Sequence, residues 1–183
     1  GTYQETPAGA QIEAQAVDRL LTVTYQVKVQ NDGNTTRSFV LKAVEDVTAG
    51  WTVVYKKADN SDISTAIRGV GYVTSMLARD AQETITVQMT PTAGAVGGSV
   101  KGATIRALLS GSDPTVRDSV RVETTVNAYE QPDLLIRRST ETDPAYGINN
   151  DYQTDAPSGA QIEQQNVMPG ATVTYLVKVE NDG

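Results

Sequence analysis

Histidine and cysteine are both absent from this 183-residue chain. Their absence removes the commonest general base, the thiolate nucleophile, disulfides and every His/Cys metal site. Aromatic residues are scarce, with one Trp, one Phe and 8 Tyr; a sugar-binding platform would have to be built from tyrosines. No stretch approaches the roughly 18 apolar residues that a membrane-spanning helix needs. There is no leader-like segment, and Gly1 is not a start residue, so the chain is expected to be a processed product or a piece of something longer. Positive charge is in deficit, 15 Lys and Arg against 22 Asp and Glu, for a net charge of −7 and a pI near 4.6. That balance argues against a nucleic-acid partner, which requires a basic stripe, and against a polybasic membrane anchor. No G-x-S-x-G elbow or Walker loop is present, and no histidine could activate a hydroxyl. The run Gly94-Ala95-Val96-Gly97-Gly98 lacks the lysine and helix of a phosphate site. The chain is expected to have no enzyme activity, no cofactor and no membrane insertion.

What is abundant points one way. Hydrophobic residues make up 39% and charged residues 20%, enough for a packed core. Threonine and valine supply 23 and 22 residues. Both are β-branched and favour strands, and the 15 Gly and 7 Pro act as punctuation. An all-β fold is expected before any pattern is read.

The chain repeats itself. Residues 7–33 (PAGAQIEAQAVDRLLTVTYQVKVQNDG) and 157–183 (PSGAQIEQQNVMPGATVTYLVKVENDG) share 18 of 27 positions at an offset of 150. The chain therefore holds one period of this length and the opening of the next. Residues 1–128 are read as a sandwich body lacking its first strand, 129–131 as a linker, and 132–183 as the start of the next repeat: first strand, long arm, second strand. Gly183 follows a strand inside an Asn-Asp-Gly turn. This phase suggests a tandem array, or a subunit whose tail completes a neighbour; either makes the protein a polymer.

Period-2 alternation marks the strands. Leu21 to Gln30 places Val23, Tyr25, Val27 and Val29 inward, and Ala171 to Glu180 repeats it. Arg37 to Val44 offers Phe39, Leu41 and Ala43. Trp51 to Lys56 opens after Gly50, with Trp51 expected in the core, and Asp59 to Ser64 reads as a connector. Gln82 to Thr90 sends Ile85, Val87 and Met89 inward. Val100 to Leu109 carries Ala103, Ile105, Ala107 and Leu109 on one face. Ser119 to Val126 closes the set through Val120, Val122 and Val126. Pro132 to Arg138 is the first strand of the new repeat, with Leu134 and Ile136 on one face and Leu135 on the other. No window shows a capped 3.6-residue period, so no helix longer than a turn is expected. About seven strands at these spacings fit an Ig-like antiparallel β-sandwich with Greek-key connections and a long insertion between the first and second strands.

The series V-K-V-Q-N-D-G-N-T (Val27 to Thr35), A-G-W-T-V, L-A-R-D-A-Q-E-T-I-T-V-Q-M-T-P (Leu77 to Pro91), A-V-G-G-S and D-S-V-R-V resembles bacterial tandem Ig-like surface repeats. The nearest types are the cell-adhesion-related and alpha-galactosidase-associated Ig-like domains. The resemblance covers residues 21–126 and 132–138. It implies a sandwich with the Trp in its core, an extracellular or cell-surface setting, and no catalytic residues. Leu77-Ala78-Arg79-Asp80 stands where those families carry a Pro-Gly turn, a departure of loop geometry.

Ser139 to Gly170 is long for a strand connection and holds Tyr146, Ile148, Tyr152, Ile162 and Val167 among polar residues. Its second half recurs as Tyr3 to Val17. It is expected to be an arm, packed either on its own sandwich or on the next repeat. Glu141, Asp143, Asn149, Asn150, Asp151 and Asp155 offer oxygen ligands of the type Ca²⁺ takes, but their spacing matches no EF-hand and the first copy lacks them; a solvated loop is expected. Lys28 and Lys178 could be considered for Lys–Asn cross-linking, but Lys28 has outward parity. Arg137-Arg138 reads as a strand end covering a sheet edge. The function expected is that of a structural repeat of an extracellular fibre or adhesin, whose partners are copies of itself and whose assembly strand contains Pro132, Leu134, Leu135 and Ile136. The alternative is a ligand- or carbohydrate-binding accessory module of a larger secreted protein.

Overall fold

The computed structural model describes residues 3–110, 116–130, 132–142, 146, 157 and 159–181. Contacts divide the chain into two units, Gly1–Asn127 and Ala128–Gly183.

The first unit is a two-sheet sandwich. Its strands are β1 (Ile12–Val17), β2 (Val23–Gln30), β3 (Phe39–Glu45), β4 (Trp51–Lys57), β5 (Tyr72–Val73), β6 (Gln82–Pro91), β7 (Val100–Leu109) and β8 (Val116–Val126). One sheet runs β1-β8-β7-β3-β5 and the other β2-β6-β4. The chain crosses between sheets at nearly every connection, and only β7 and β8 are consecutive neighbours. All pairings are antiparallel except β1 with β8, which are parallel from Ile12 opposite Arg121 to Val17 opposite Val126. This is an all-β, Ig-like sandwich.

The core follows from alternation. Tyr25 and Val27 on β2 lie opposite Val87 and Ile85 on β6. From the other sheet Leu41, Ala43, Ala103, Ile105 and Val122 meet them, and Val23, Val53, Tyr55 and Met89 complete the buried cluster. Val29 and Trp51 pack against it half-buried. Gly50 fits the entry to β4 because φ is +78° and a Cβ there would stand 2.8 Å from Ala95 Cα. Asn31 is buried at the end of β2. Its Nδ2 donates to the carbonyls of Thr35 and Leu77, both at 2.8 Å, and its Oδ1 accepts from the Gly33 N–H at 3.0 Å. One amide thus ties the Asn-Asp-Gly turn to the Leu77–Asp80 turn, where Asp80 has φ +61°. Across β7 and β8, Arg121 reaches Asp46 with Nη2 to Oδ2 at 2.5 Å and Nη1 to Oδ1 at 3.2 Å. Gly102 leaves room for that guanidinium, since a Cβ there would lie 2.1 Å from Arg121 Nη2.

Three features depart from the sequence expectation. Ile12–Val17, read as part of an arm, is a strand on the sandwich. The edge of β8 supplies backbone partners that its own side chains, exposed up to Val17, do not call for. The body thus has a strand in the five-stranded sheet that the sequence did not signal. A register shift between Ala107 and Leu108 reverses parity at the end of β7, so that Leu108 is buried and Leu109 only half so. Ser64–Arg68 is a short helix (α1) after the connector; Ile67 is fully buried there and the Arg68 guanidinium lies 5.2 Å from the Tyr55 ring centroid.

In the second unit, β9 (Pro132–Arg138) and β10 (Tyr175–Asn181) form an antiparallel pair. The register sets Arg138 opposite Tyr175, Ile136 opposite Val177, Leu134 opposite Val179 and Pro132 opposite Asn181. Opposed residues share a face. Leu135 and Asp133 are buried on one face, where Tyr146 lies 4.7 Å from the Arg137 guanidinium. The other face is bare: Leu134, Val177 and Val179 are 58%, 61% and 68% exposed. Ile148 and Tyr152 lie outside the described residues, as do Asp143, Asn149, Asn150, Asp151 and Asp155 of the acidic loop.

Candidate functional site

The site is the open side of the first sandwich, between the free edge of β2 and the pair β1–β8. β2 stands at the end of its sheet, with β6 on one flank. Three adjoining hollows run along the free flank. The first, of about 420 Å³, is lined by Glu13 and Gln15 of β1, Tyr25 and Val27 of β2, and Val120 and Val122 of β8. A small one lies over Val27, Val29, Leu41 and Ile105. The third, of about 590 Å³, continues past Val29, Asn31 and Asp32 to Phe39, Ala107 and Asp118. The floor is apolar core; the rim is polar.

The amino-terminal segment frames one end of this groove. The Tyr3 hydroxyl donates to Asp32 Oδ2 at 2.5 Å, and the carboxylate raises the phenol pKa, chiefly through that hydrogen bond. Asp118 Oδ1 accepts from the Gln4 N–H at 3.0 Å and from Gln11 Nε2 at 2.7 Å. The Ser119 hydroxyl donates to the Gln4 carbonyl at 2.7 Å. Residues 3–11 are therefore held on their own sandwich. Inside the groove Tyr25 is anchored by its hydroxyl to the Glu123 carbonyl and, at 2.9 Å, to Thr124 Oγ1. Its phenol pKa is raised, mainly by burial.

Glu13 differs from these anchored groups. It is exposed on the groove wall and has no ion-pair partner among the described residues. Its copy one repeat on, Glu163, does have one: Arg138 Nε lies 2.8 Å from Glu163 Oε2. Arg138 also approaches Glu141 Oε1 at 3.7 Å, and its pKa is raised, first by the hydrogen bond to Glu163. Nothing in the residues flanking Glu13 marks it as a site residue. The signal available was its position in the repeated Gly-Ala-Gln-Ile-Glu, which recurs with the Arg137-Arg138 pair 25 residues before the second glutamate.

The sequence-selected residues fall into two groups. Val23, Tyr25, Val27, Val29, Trp51, Ile85, Val87, Ile105 and Val122 all belong to or pack on the core of the first unit. Pro132, Leu134, Leu135, Ile136, Tyr146, Ile162 and Val167 belong to the second unit; Ile162 and Val167 are 43% and 51% exposed. Among the described residues no group of three or more acidic side chains could hold a metal. Glu141 is engaged by the Arg138 backbone N–H at 3.0 Å. No helix of the described residues is long and apolar enough to cross a membrane. Tyr3 is the one fully exposed aromatic residue among those described, and Phe39, Trp51, Tyr72, Tyr129, Tyr146 and Tyr175 are half-buried.

No family model matches the chain, and no curated protein matches it. Some solved structures are similar to it at low identity. The N-terminal domain of PorA is 10% identical, with 63% of this chain and 86% of that one covered and a TM-score of 0.41. A family 123 glycoside hydrolase from Clostridium perfringens, described for glycolipid glycan hydrolysis, is 6% identical over 66% of this chain and 24% of its own, at a TM-score of 0.42. SSP-19, an MSP-domain protein like family member in Caenorhabditis elegans, is 12% identical over 63% of this chain and 94% of its own, at 0.36. Each is a likeness of fold alone, and the Ig-like assignment rests on the strand pairing described above.

Proposed function

We propose that this chain is a structural repeat of an extracellular or cell-surface fibre or adhesin, built by joining copies of one Ig-like unit head to tail. The observation that carries the reading is the relation between the two copies of the repeated segment. In the first, the second strand packs on a buried core and has one flank unpaired among the described residues. In the second, the same strand has a partner on that flank but a bare apolar face. The same segment thus recurs one period of 150 residues apart within one chain, which suits units that build on one another in one dimension. Sheet edges, with their unpaired N–H and C=O groups, are natural contacts between such units, and the net charge of −7 opposes nonspecific clumping. Tandem covalent repeats and strands contributed by a neighbouring chain both satisfy the relation. Electron microscopy of the purified chain at rising concentration tests the reading. Filaments with a regular axial repeat are expected; discrete globules at every concentration would overturn it.

A further inference from the structure

We infer that Asn34, on the turn between β2 and β3, is an acceptor for an N-linked glycan. The inference takes from the fibre reading only its extracellular setting.

The sequence supplies the motif. Of the 8 asparagines, only Asn34 is followed two residues on by Ser or Thr, in Asn34-Thr35-Thr36. This is the N-x-S/T acceptor pattern, with no proline at its middle position. A carboxamide nitrogen is a poor nucleophile, because its lone pair is shared with the carbonyl. A transferase must therefore hold it closely, and the hydroxyl two residues on gives the enzyme a hydrogen-bonding handle. Asp32 stands two residues before Asn34, so the narrower pattern that also asks for a carboxylate there is met as well. The simple pattern is common by chance, and the placement of Asn34 gives it weight.

The turn is clamped at both ends and open in the middle. At one end the Asn31 N–H donates to the Ala81 carbonyl at 3.0 Å, and the Asn31 carbonyl accepts from the Asp80 N–H at 2.8 Å. At the other, Arg37 and Leu77 exchange backbone hydrogen bonds at 3.0 and 2.8 Å. Every clamp lies within residues 31–81. Between them the chain bends over residues 33–35, and Asp32, Gly33, Asn34, Thr35 and Thr36 are all exposed. The Asn34 carboxamide and the Thr36 hydroxyl make no hydrogen bond to another described residue. The Asn31 carboxamide, three residues earlier, is buried and bonded through both its oxygen and its nitrogen. One asparagine thus holds the turn and the other is presented by it. Asp32 Oδ2 accepts from the Tyr3 hydroxyl at 2.5 Å, an exposed contact. A glycan on Asn34 displaces no core contact.

The step needs one co-reactant, an oligosaccharide carried on a polyprenyl pyrophosphate. Asn34 Nδ2 forms a bond to the anomeric carbon of the first sugar. The bond from that carbon to the pyrophosphate oxygen breaks, and the pyrophosphate leaves on its carrier with the electron pair. One amide proton passes to a base of the transferase. Nothing is oxidised or reduced.

Two measurements test the site. Protein taken from the surface or medium of its own cells is digested with trypsin, which releases residues 29–37 as one peptide. Mass spectrometry should find that peptide carrying a glycan on Asn34. In parallel, the folded full chain is given a purified oligosaccharyltransferase and a polyprenyl-pyrophosphate-linked oligosaccharide. One glycan should be added, lost in Asn34→Gln and Thr36→Ala and kept in Thr36→Ser. Both positions are exposed, so the variants should keep the parent's melting transition, and this is checked first. Transfer that survives Asn34→Gln, or that occurs only after heat-unfolding the chain, would overturn the site. So would a native peptide found only unmodified, even where the folded chain accepts a glycan. A native chain without glycan that still forms filaments would sink this inference and leave the fibre reading standing. A glycosylated chain that stays globular at every concentration would do the reverse.

Discussion

Val27 and Val177 are the same residue of the repeat in two surroundings, and this makes a controlled experiment. Val27 is 7% exposed and Val177 61%. Truncating valine to alanine removes two carbon groups, each worth about 0.8 kcal/mol when buried. Val27→Ala should therefore cost about 1.5 kcal/mol. Little cavity penalty adds to this, because Val27 borders hollows that are already open. For a unit of this size that corresponds to a fall of roughly 5 °C in Tm. Val177→Ala removes the same atoms from a side chain mostly in water and should stay within about 0.5 kcal/mol. Two signals separate the units. Trp51 is the only tryptophan and packs against the core of the first unit, so its fluorescence follows that unit alone. Far-ultraviolet circular dichroism follows both. Val27→Ala should move the Trp51 transition down by the stated amount, and Val177→Ala should move neither signal by more than about 2 °C on the same scale. A Val177→Ala chain as destabilised by dichroism as Val27→Ala is by fluorescence would refute the burial assigned to the two copies. So would a Val27→Ala chain whose Trp51 transition does not move.

Two further expectations concern polar anchors. Asn31→Ala strips partners from two carbonyls and one N–H and should cost roughly 2–3 kcal/mol, read as a lower urea midpoint at unchanged slope. The Asp46 carboxyl is held below its usual value of 3.8, first by the hydrogen bond from Arg121. A lowered folded-state pKa gives stability that is complete above the unfolded value and is lost as pH falls through the folded one. Asp46→Asn should therefore be less stable than the parent above about pH 4, with the gap closing on acidification below it. A gap of constant size down to the acid limit would contradict that origin.

The strands that sequence disclosed are those whose side chains decide their own place. On β2 and β6 the alternation from Val23 to Val29 and from Ile85 to Met89 is complete, because each strand has one face in the core and one in water. β1 was illegible for the opposite reason. Its residues to Ala16 are exposed, so no alternation exists to be read. Its copy at residues 162–167 forms no strand, although Ile, Glu, Gln and Val recur at the same positions. Tertiary context makes the strand, by offering the edge of β8. The bulge at Ala107 and Leu108 is equally silent, since both phases of β7 carry apolar residues. Of the groove, the core floor was visible in the pattern and the rim was not. Glu13 looks like any surface glutamate until the second copy shows an arginine against it.

The parallel pairing of β1 with β8 gives the first unit a mechanical character. β1 is its first strand and β8 its last, and they run side by side in the same direction over six residue pairs. Tension that pulls the chain at the Ile12 end of β1 and the Val126 end of β8 draws the strands past one another along their length. The backbone hydrogen bonds of this patch are then loaded together, in shear, instead of being peeled open one at a time as at a hairpin end. Single-molecule stretching should record one high rupture force for the unit, lowered by a proline placed within β1, where a ladder hydrogen bond is lost. A unit that yields gradually at low force would contradict this. A module tied in this way suits a thread under load: it holds its length until the patch shears, and then lengthens in one step.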